Sequence, residues 1–267
     1  VDFYISAEIP EQPMKIAVCF SSQLRGGVHA HPNIKSYLGE AYQDCVFFAH
    51  LWDINTRKPY VRTGNVVLPE VVSADWEDLK TFKELYNIQD FSIENYDEVK
   101  NHYTENNLHF YSLFYSWYKS LELLENYTTS TGEEFDLIVK LRPDIMFRPG
   151  RNFLKEVLTA FLKNRTTDVF LVENLRPDWN TASHVNDVCW VSTPNLMKLA
   201  KQYFFENQQD NTKTFVNHLK NHSIKLGNLG DGYCCVKLEC LEYAILQEYE
   251  KCFECEQFYF APQRDLI

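Results

Sequence analysis

Apolar residues in this 267-residue chain follow two rhythms, short continuous runs and longer stripes at helical spacing, which alternate along most of its length. The runs at 15–20, 45–51, 66–72, 137–141, 168–172 and 188–191 are partly β-branched and too short to need a helix, so they read as strands. The stripes predict helices over 33–42, over 75–86 behind a Ser73 or Asp75 cap, and over 109–127. In the last of these Phe110, Leu113, Phe114, Trp117, Leu121 and Leu124 make one broad apolar face. Further helices are expected after Pro149-Gly150, with Phe153, Leu154, Val157, Leu158 and Phe161 on one side, and after Ser192-Thr193-Pro194, where a hydroxyl cap precedes a proline at the first helical position. A short helix at 215–219 and an amphipathic one at 233–249 complete the set. The polar stretch 87–105 and the glycine-rich stretch 227–232 read as loops. Alternation of strand and helix without repeats or linkers predicts one α/β domain over 14–267, a mostly parallel sheet with helices on both faces. Residues 1–13, polar and Pro-containing, are set apart as an arm or cloning remnant.

Candidate chemistry gathers where strands end. The run 135–147 is broken at Arg142-Pro143-Asp144, because Pro143 lacks an N–H and pushes its predecessor out of helical geometry. In open α/β sheets ligands bind at that edge. Asp144 on a rigid proline turn can coordinate Mn2+ or Mg2+, and through the cation neutralise a diphosphate; the alternative is a solvated acid in an ordinary turn. The first strand runs into Ser21-Ser22-Gln23-Leu24-Arg25-Gly26-Gly27, whose small residues allow close backbone approach to a phosphate and whose Arg25 supplies a planar charged fork. It has neither the glycine spacing of a dinucleotide fingerprint nor the Gly-Lys-Ser/Thr of a P-loop. The second strand delivers His50 and Asp53, which are either ligand contacts or turn residues. Asp187, at the entry to the strand 188–191, is the first candidate for a general base, followed by Asp231 and His184; a strand-entry cap is the other reading of Asp187.

Composition narrows the partners. Acids outnumber bases 37 to 26, a net charge of −11, which argues against nonspecific binding to nucleic acid or an anionic membrane. A phosphate-bearing ligand therefore has to be held locally, by named bases or a metal. No apolar run approaches the ~18–20 residues of a membrane span, and no signal segment opens the sequence. The eight cysteines are scattered, with Cys19, Cys45 and Cys189 inside apolar runs, so reduced thiols and a cytoplasmic setting are expected. The alternative is a soluble fragment of a secretory-pathway enzyme, in which the sequons at Asn126, Asn164 and Asn221 would matter. Cys252 and Cys255, with Cys234 and Cys235, lack the second spaced pair or histidine of a zinc site.

Five motifs in order carry a resemblance: Cys19-Phe20-Ser21-Ser22-Gln23-Leu24-Arg25-Gly26, Phe47-Phe48-Ala49-His50-Leu51-Trp52-Asp53, the stretch 110–119, the stretch 135–147, and Asn186-Asp187-Val188-Cys189-Trp190-Val191-Ser192. Over about residues 15–205 the chain resembles GT-A-fold nucleotide-sugar glycosyltransferases of surface-polysaccharide clusters and large algal viruses, the chlorovirus type. The resemblance implies a single GT-A, Rossmann-like domain that binds a nucleotide-diphosphate sugar donor, a UDP-sugar and as a specific guess UDP-xylose. It implies a carbohydrate acceptor, metal assistance and an inverting transfer. The donor would lie across the first loop, at Ser21, Ser22, Gln23 and Arg25, and across the Arg142-Pro143-Asp144 turn, which replaces the Asp-X-Asp motif of the fold. Two departures stand out: Ser22 occupies a position where many relatives have glycine, and Arg142 takes the place of the second acid. The other readings are a sugar-phosphate nucleotidyltransferase, whose longer glycine-rich loop and following lysine are absent, and a non-catalytic carbohydrate- or nucleotide-binding module.

Overall fold

The computed structural model describes residues 14–57, 70–106, 108, 110–167, 169–173, 188–206, 212–230 and 233–235. At its centre is β1 (Ile16–Gln23), whose first six residues are buried. It pairs in parallel with β2 (Cys45–Trp52) on one side and β6 (Leu137–Leu141) on the other. Outside β2 lies parallel β5 (Asp90–Glu94); outside β6 come β9 (Cys189–Ser192), β8 (Val169–Glu173) and β10 (Lys225–Gly230). β9 is antiparallel to both its neighbours, so six of the seven strands in the order β10-β8-β9-β6-β1-β2-β5 point one way. This is the expected mixed α/β architecture with a mostly parallel sheet.

The chain leaves β1 toward β2 and β5, then returns to the other side of β1 as β6. The crevice between β1 and β6 is therefore the topological switch point of the sheet. One face is covered by α1 (Gly27–Leu38), α2 (Trp76–Leu85) and α5 (Phe153–Asn164), packed on Val18, Phe20 and Val139. The other carries α4 (Ser112–Thr131), α6 (Pro194–Glu206) and α7 (Thr212–Asn221), packed on Ala17, Cys19 and Phe170. The alternation of β1 side chains between these two clusters follows from the period of two along a strand. α4 carries the stripe read from sequence from Leu113 onward, with Phe110 ahead of its start, and ends at Gly132, whose φ of 72° provides the left-handed turn that stops it.

Several elements differ from expectation. The stretch 87–105 contains β5 and the helix α3 (Tyr96–Glu105), capped by the Asn95 side chain. β5 is a half-buried edge strand and α3 a mostly polar helix, so neither carries the apolar run or stripe that a sequence reading looks for. The strand expected over 66–72 is described only from Glu70, as β4 (Glu70–Ser73), and it pairs with β3 (Ile54–Arg57) in a separate antiparallel ribbon outside the main sheet. The first helix begins at Gly27 and closes in a 3₁₀ turn at Gly39–Asp44. The stretch 225–230, read as loop over its glycines, is the edge strand β10. A Cβ at Gly227 would stand 2.8 Å from Leu171 Cδ2 and 2.7 Å from Asn164 Nδ2, so the glycine admits close packing rather than a turn. In place of a helix starting at 233, β11 (Tyr233–Cys235) pairs with β7 (Ile145–Phe147); the remainder of 233–249 lies outside the described residues.

Gly27 has a second function in the fold. A Cβ there would meet Leu24 Cδ1 at 2.9 Å, Pro143 Cβ at 3.1 Å and Pro143 O at 3.3 Å, so its absence lets the loop after β1 touch the turn after β6. Gly27→Ala is expected to destabilise the protein by about 1–3 kcal/mol through overpacking, read as a lower urea midpoint at unchanged slope. An unchanged midpoint would show that the two segments are not pressed together.

Candidate active site

Because β1, β2, β5 and β6 are parallel, Gln23, Trp52, Glu94 and Leu141 all end at one edge of the sheet. Antiparallel β9 begins at that edge, where the Val188 carbonyl accepts the Arg142 backbone N–H at 3.0 Å. The segments after β1 and β6 meet there in an ion cluster. Asp144 is 1% exposed and accepts from Arg142 Nε at 2.9 Å, Arg142 Nη2 at 2.7 Å and Arg25 Nη1 at 3.0 Å. Burial works against its charge, yet the Arg142 and Arg25 guanidiniums outweigh burial and hold the carboxyl below the usual carboxylate range.

Arg25 is held by two contacts besides Asp144. Its backbone N–H donates to Asn55 Oδ1 at 2.8 Å and its Nε donates to Gln23 Oε1 at 3.0 Å. Its φ of 46° lies in the left-handed region. Its Nη2 makes no bond among the described residues, and 29% of its side chain faces solvent. Two guanidiniums thus converge on one carboxylate at the switch point of a chain whose overall charge is −11.

Both Asp144 oxygens, expected to face a cation, accept guanidinium N–H groups, and among the described residues no group of three or more His, Cys, Asp or Glu side chains is placed to hold a metal ion.

A second network lies beneath the first loop. His50, expected near the donor, is 0% exposed, so it reaches a ligand only through other groups. Its Nδ1 is 2.9 Å from Ser116 Oγ, which accepts the Ser22 backbone N–H at 2.8 Å. Its Nε2 has no hydrogen-bond partner and stands 3.6 Å from Glu94 Oε2. Burial is the main cause that lowers the imidazole below its ordinary value, against the opposing pull of Glu94. The Glu94 carboxyl is lowered to about 2: burial opposes its charge, but His50, the Tyr115 hydroxyl at 2.7 Å and Lys119 at 3.6 Å outweigh it. Ser22 itself has a φ of 126°, a conformation natural to glycine that costs other residues ~1–3 kcal/mol.

Other expected site residues have different surroundings. Ser21 is fully buried on β1 with an unbonded hydroxyl. Asp53 uses both oxygens at the start of α3, accepting from Tyr96 N–H at 2.9 Å and Asn95 Nδ2 at 2.8 Å. Asp187, His184 and Asp231 lie outside the described residues, as do Cys252 and Cys255. Cys19, Cys45 and Cys189 form no disulfide among the described residues; burial raises the first two thiols, Cys45 to about 12. Tyr111 and Tyr115, read as core or sugar-stacking residues, border a narrow aromatic cleft with Tyr103, Phe110 and Phe114.

Sequence reasoning missed Ser116, Glu94 and Lys140. Ser116 and Ser120 sit four apart on the buried stripe of α4, a small-polar signal within an apolar face. Glu94 fell in the stretch read as loop. Lys140, inside the central strand, is fully buried with its ammonium 5.7 Å from the Trp117 ring.

No protein-family model matches the chain, and no curated protein does. Among solved structures it is similar to mouse xyloside xylosyltransferase 1 in its apo form, at 10% identity and a TM-score of 0.35, with 80% of this chain and 83% of that one covered. Similarity at that level carries no argument about activity. No helix among the described residues is long and apolar enough to cross a membrane.

Asp144→Asn removes the anion from between two arginines and is expected to cost about 3–5 kcal/mol, since an uncompensated buried charge remains. The folded pKa is depressed, so the ionised carboxylate stabilises fully above its unfolded value of about 3.9 and loses that effect as pH falls through the folded value. Urea titrations of both proteins should show a stability gap that is constant from pH 7 to about 4 and narrows below. A gap absent at pH 7 would contradict the cluster.

Proposed function

We propose that this chain is a glycosyltransferase that moves a sugar from a nucleotide-diphosphate donor, a UDP-sugar, to a carbohydrate hydroxyl. One observation carries the reading: two guanidiniums gathered on a single buried carboxylate at the switch point of a parallel α/β sheet. Open sheets of this kind bind ligands in that crevice, and planar guanidiniums suit phosphate oxygens. The ordered motifs shared with nucleotide-sugar glycosyltransferases add to it.

In the transfer the bond between the sugar's anomeric carbon and the diphosphate breaks, a bond from that carbon to the acceptor oxygen forms, and the acceptor proton passes to a base. The departing diphosphate gains negative charge as it leaves. Arg25, with Nη2 open to the crevice, stabilises that charge, and Arg142 adds its positive field from the adjacent turn. Asp144 orients both forks and, being buried and doubly paired, stays ionised. No step is assigned to a metal. Asp187 is the proposed base in an inverting transfer, on the ground that in sequence it directly precedes Val188, whose carbonyl accepts the Arg142 N–H.

Purified protein incubated with a panel of UDP-sugars, UDP-xylose included, and mono- and oligosaccharide acceptors should release UDP and form a glycoside. Arg25→Gln should weaken donor binding and slow transfer together. Asp187→Asn should keep donor affinity and lose about 10²–10⁴-fold in turnover. Equal loss of donor affinity in Asp187→Asn would move that residue to the nucleotide, and a panel with no turnover or binding would remove the transferase reading.

A further inference from the structure

We propose that His50 and Ser116 are positioning residues of the donor site, which hold Ser22 in its glycine-like backbone conformation and so aim the segment that carries Arg25. The inference rests on the donor-binding reading above for its functional consequence, but its geometry is independent. Ser22 precedes Arg25 by three residues, and between them Gln23 Oε1 accepts from Arg25 Nε at 3.0 Å. A change at Ser22 is therefore transmitted to the guanidinium through a short, bonded stretch of chain.

The φ of 126° at Ser22 is disfavoured for any residue with a Cβ, so its neighbours must hold it. Ser22 closes β1 opposite Leu51 of β2, and its N–H turns to Ser116 Oγ at 2.8 Å, on α4 across the sheet face. Ser116 is fully buried, as is His50, so water does not compete for either bond. The hydroxyl has one proton and two lone pairs. One lone pair takes the Ser22 N–H; His50 Nδ1 at 2.9 Å and the His50 carbonyl at 3.1 Å fix the rotor from the other side. His50 is in turn locked by β2, by the edge of Trp52 at a centroid distance of 5.1 Å, and by Glu94 at the end of β5. The chain of contacts thus links three neighbouring strand ends to the loop that bears Arg25.

Glycine needs no such support, because it adopts a φ of this kind without a Cβ penalty. The network therefore does for a serine what the bare backbone does for a glycine. The prediction that separates positioning from mere structural support is that Ser22→Gly makes the network dispensable.

The experiment measures UDP affinity by titration calorimetry, and amide exchange at residues 22–25, in six proteins: wild type, Ser116→Ala, His50→Leu, His50→Asn, Ser22→Gly, and Ser22→Gly with Ser116→Ala. Ser116→Ala and His50→Leu should bind UDP roughly five- to tenfold more weakly, the effect of one lost buried hydrogen bond. His50→Asn, whose amide reaches the Nδ1 position, should recover most of that loss, and the double variant should bind close to Ser22→Gly alone. UDP affinity unchanged in Ser116→Ala, or weakened by the same factor with and without Ser22→Gly, would overturn the proposal. If wild type itself fails to bind UDP, the donor reading fails instead. The positioning claim is then decided by exchange: acceleration at 22–25 in Ser116→Ala that Ser22→Gly abolishes supports it, and unaltered exchange overturns it.

Discussion

The buried carboxylate of Asp144 between two arginines is the constraint around which the functional edge of this protein is built. A carboxylate taken out of water is unfavourable unless charged donors surround it, and here three guanidinium N–H bonds do so. Those donors come from two segments far apart in sequence, so the ion cluster forms only if β1 and β6 are neighbours and parallel. The sheet order supplies that adjacency, and Gly27 removes the atom that would keep the two segments apart. Asn33 fixes the continuation of the turn, its side chain bonding both the N–H and the carbonyl of Phe147 at 2.6 and 2.9 Å as a paired strand would. Fold and site are therefore one problem at this position.

Beneath the ion cluster lies a second network with a different task. Tyr115 and Ser116 on α4 meet His50 and Glu94 near the ends of β2 and β5, and their hydrogen bonds run laterally across strand ends rather than outward. The outer arginines present charge, and the inner network supports the backbone from which one of them projects. A serine at this position makes that support necessary, because the conformation is strained for any residue with a Cβ.

Much of this was legible in the sequence, and the limits have physical causes. The strands that became β1, β2, β6, β8 and β9 were visible as apolar runs because both faces of the sheet are covered. Arg25, Arg142 and Asp144 were found because a proline and a pair of glycines mark where strands stop. β5 and β10 were missed because edge strands need neither an unbroken apolar run nor a lack of glycine, and the chain crosses them in half-polar sequence. The expected role of Asp144 as a metal ligand could not be distinguished from an ion pair in one dimension, since nothing in the spacing of Arg25 and Asp144 announces a 3.0 Å contact across 119 residues. His50 was noticed for its chemistry and Ser116 for none, yet the two touch only because α4 lies across β1 and β2.

The proposed function has a direct structural consequence, since on that reading the diphosphate of a bound nucleotide lies on guanidinium nitrogen. A crystal structure of the chain with UDP, grown in the presence of a metal chelator, tests this most directly. The account predicts the diphosphate in the β1–β6 crevice, with oxygens within hydrogen-bond distance of Arg25 Nη2 and Asp144 still bridging both arginines. UDP seated elsewhere, with Arg25 contacting only Gln23 and Asp144, would contradict it.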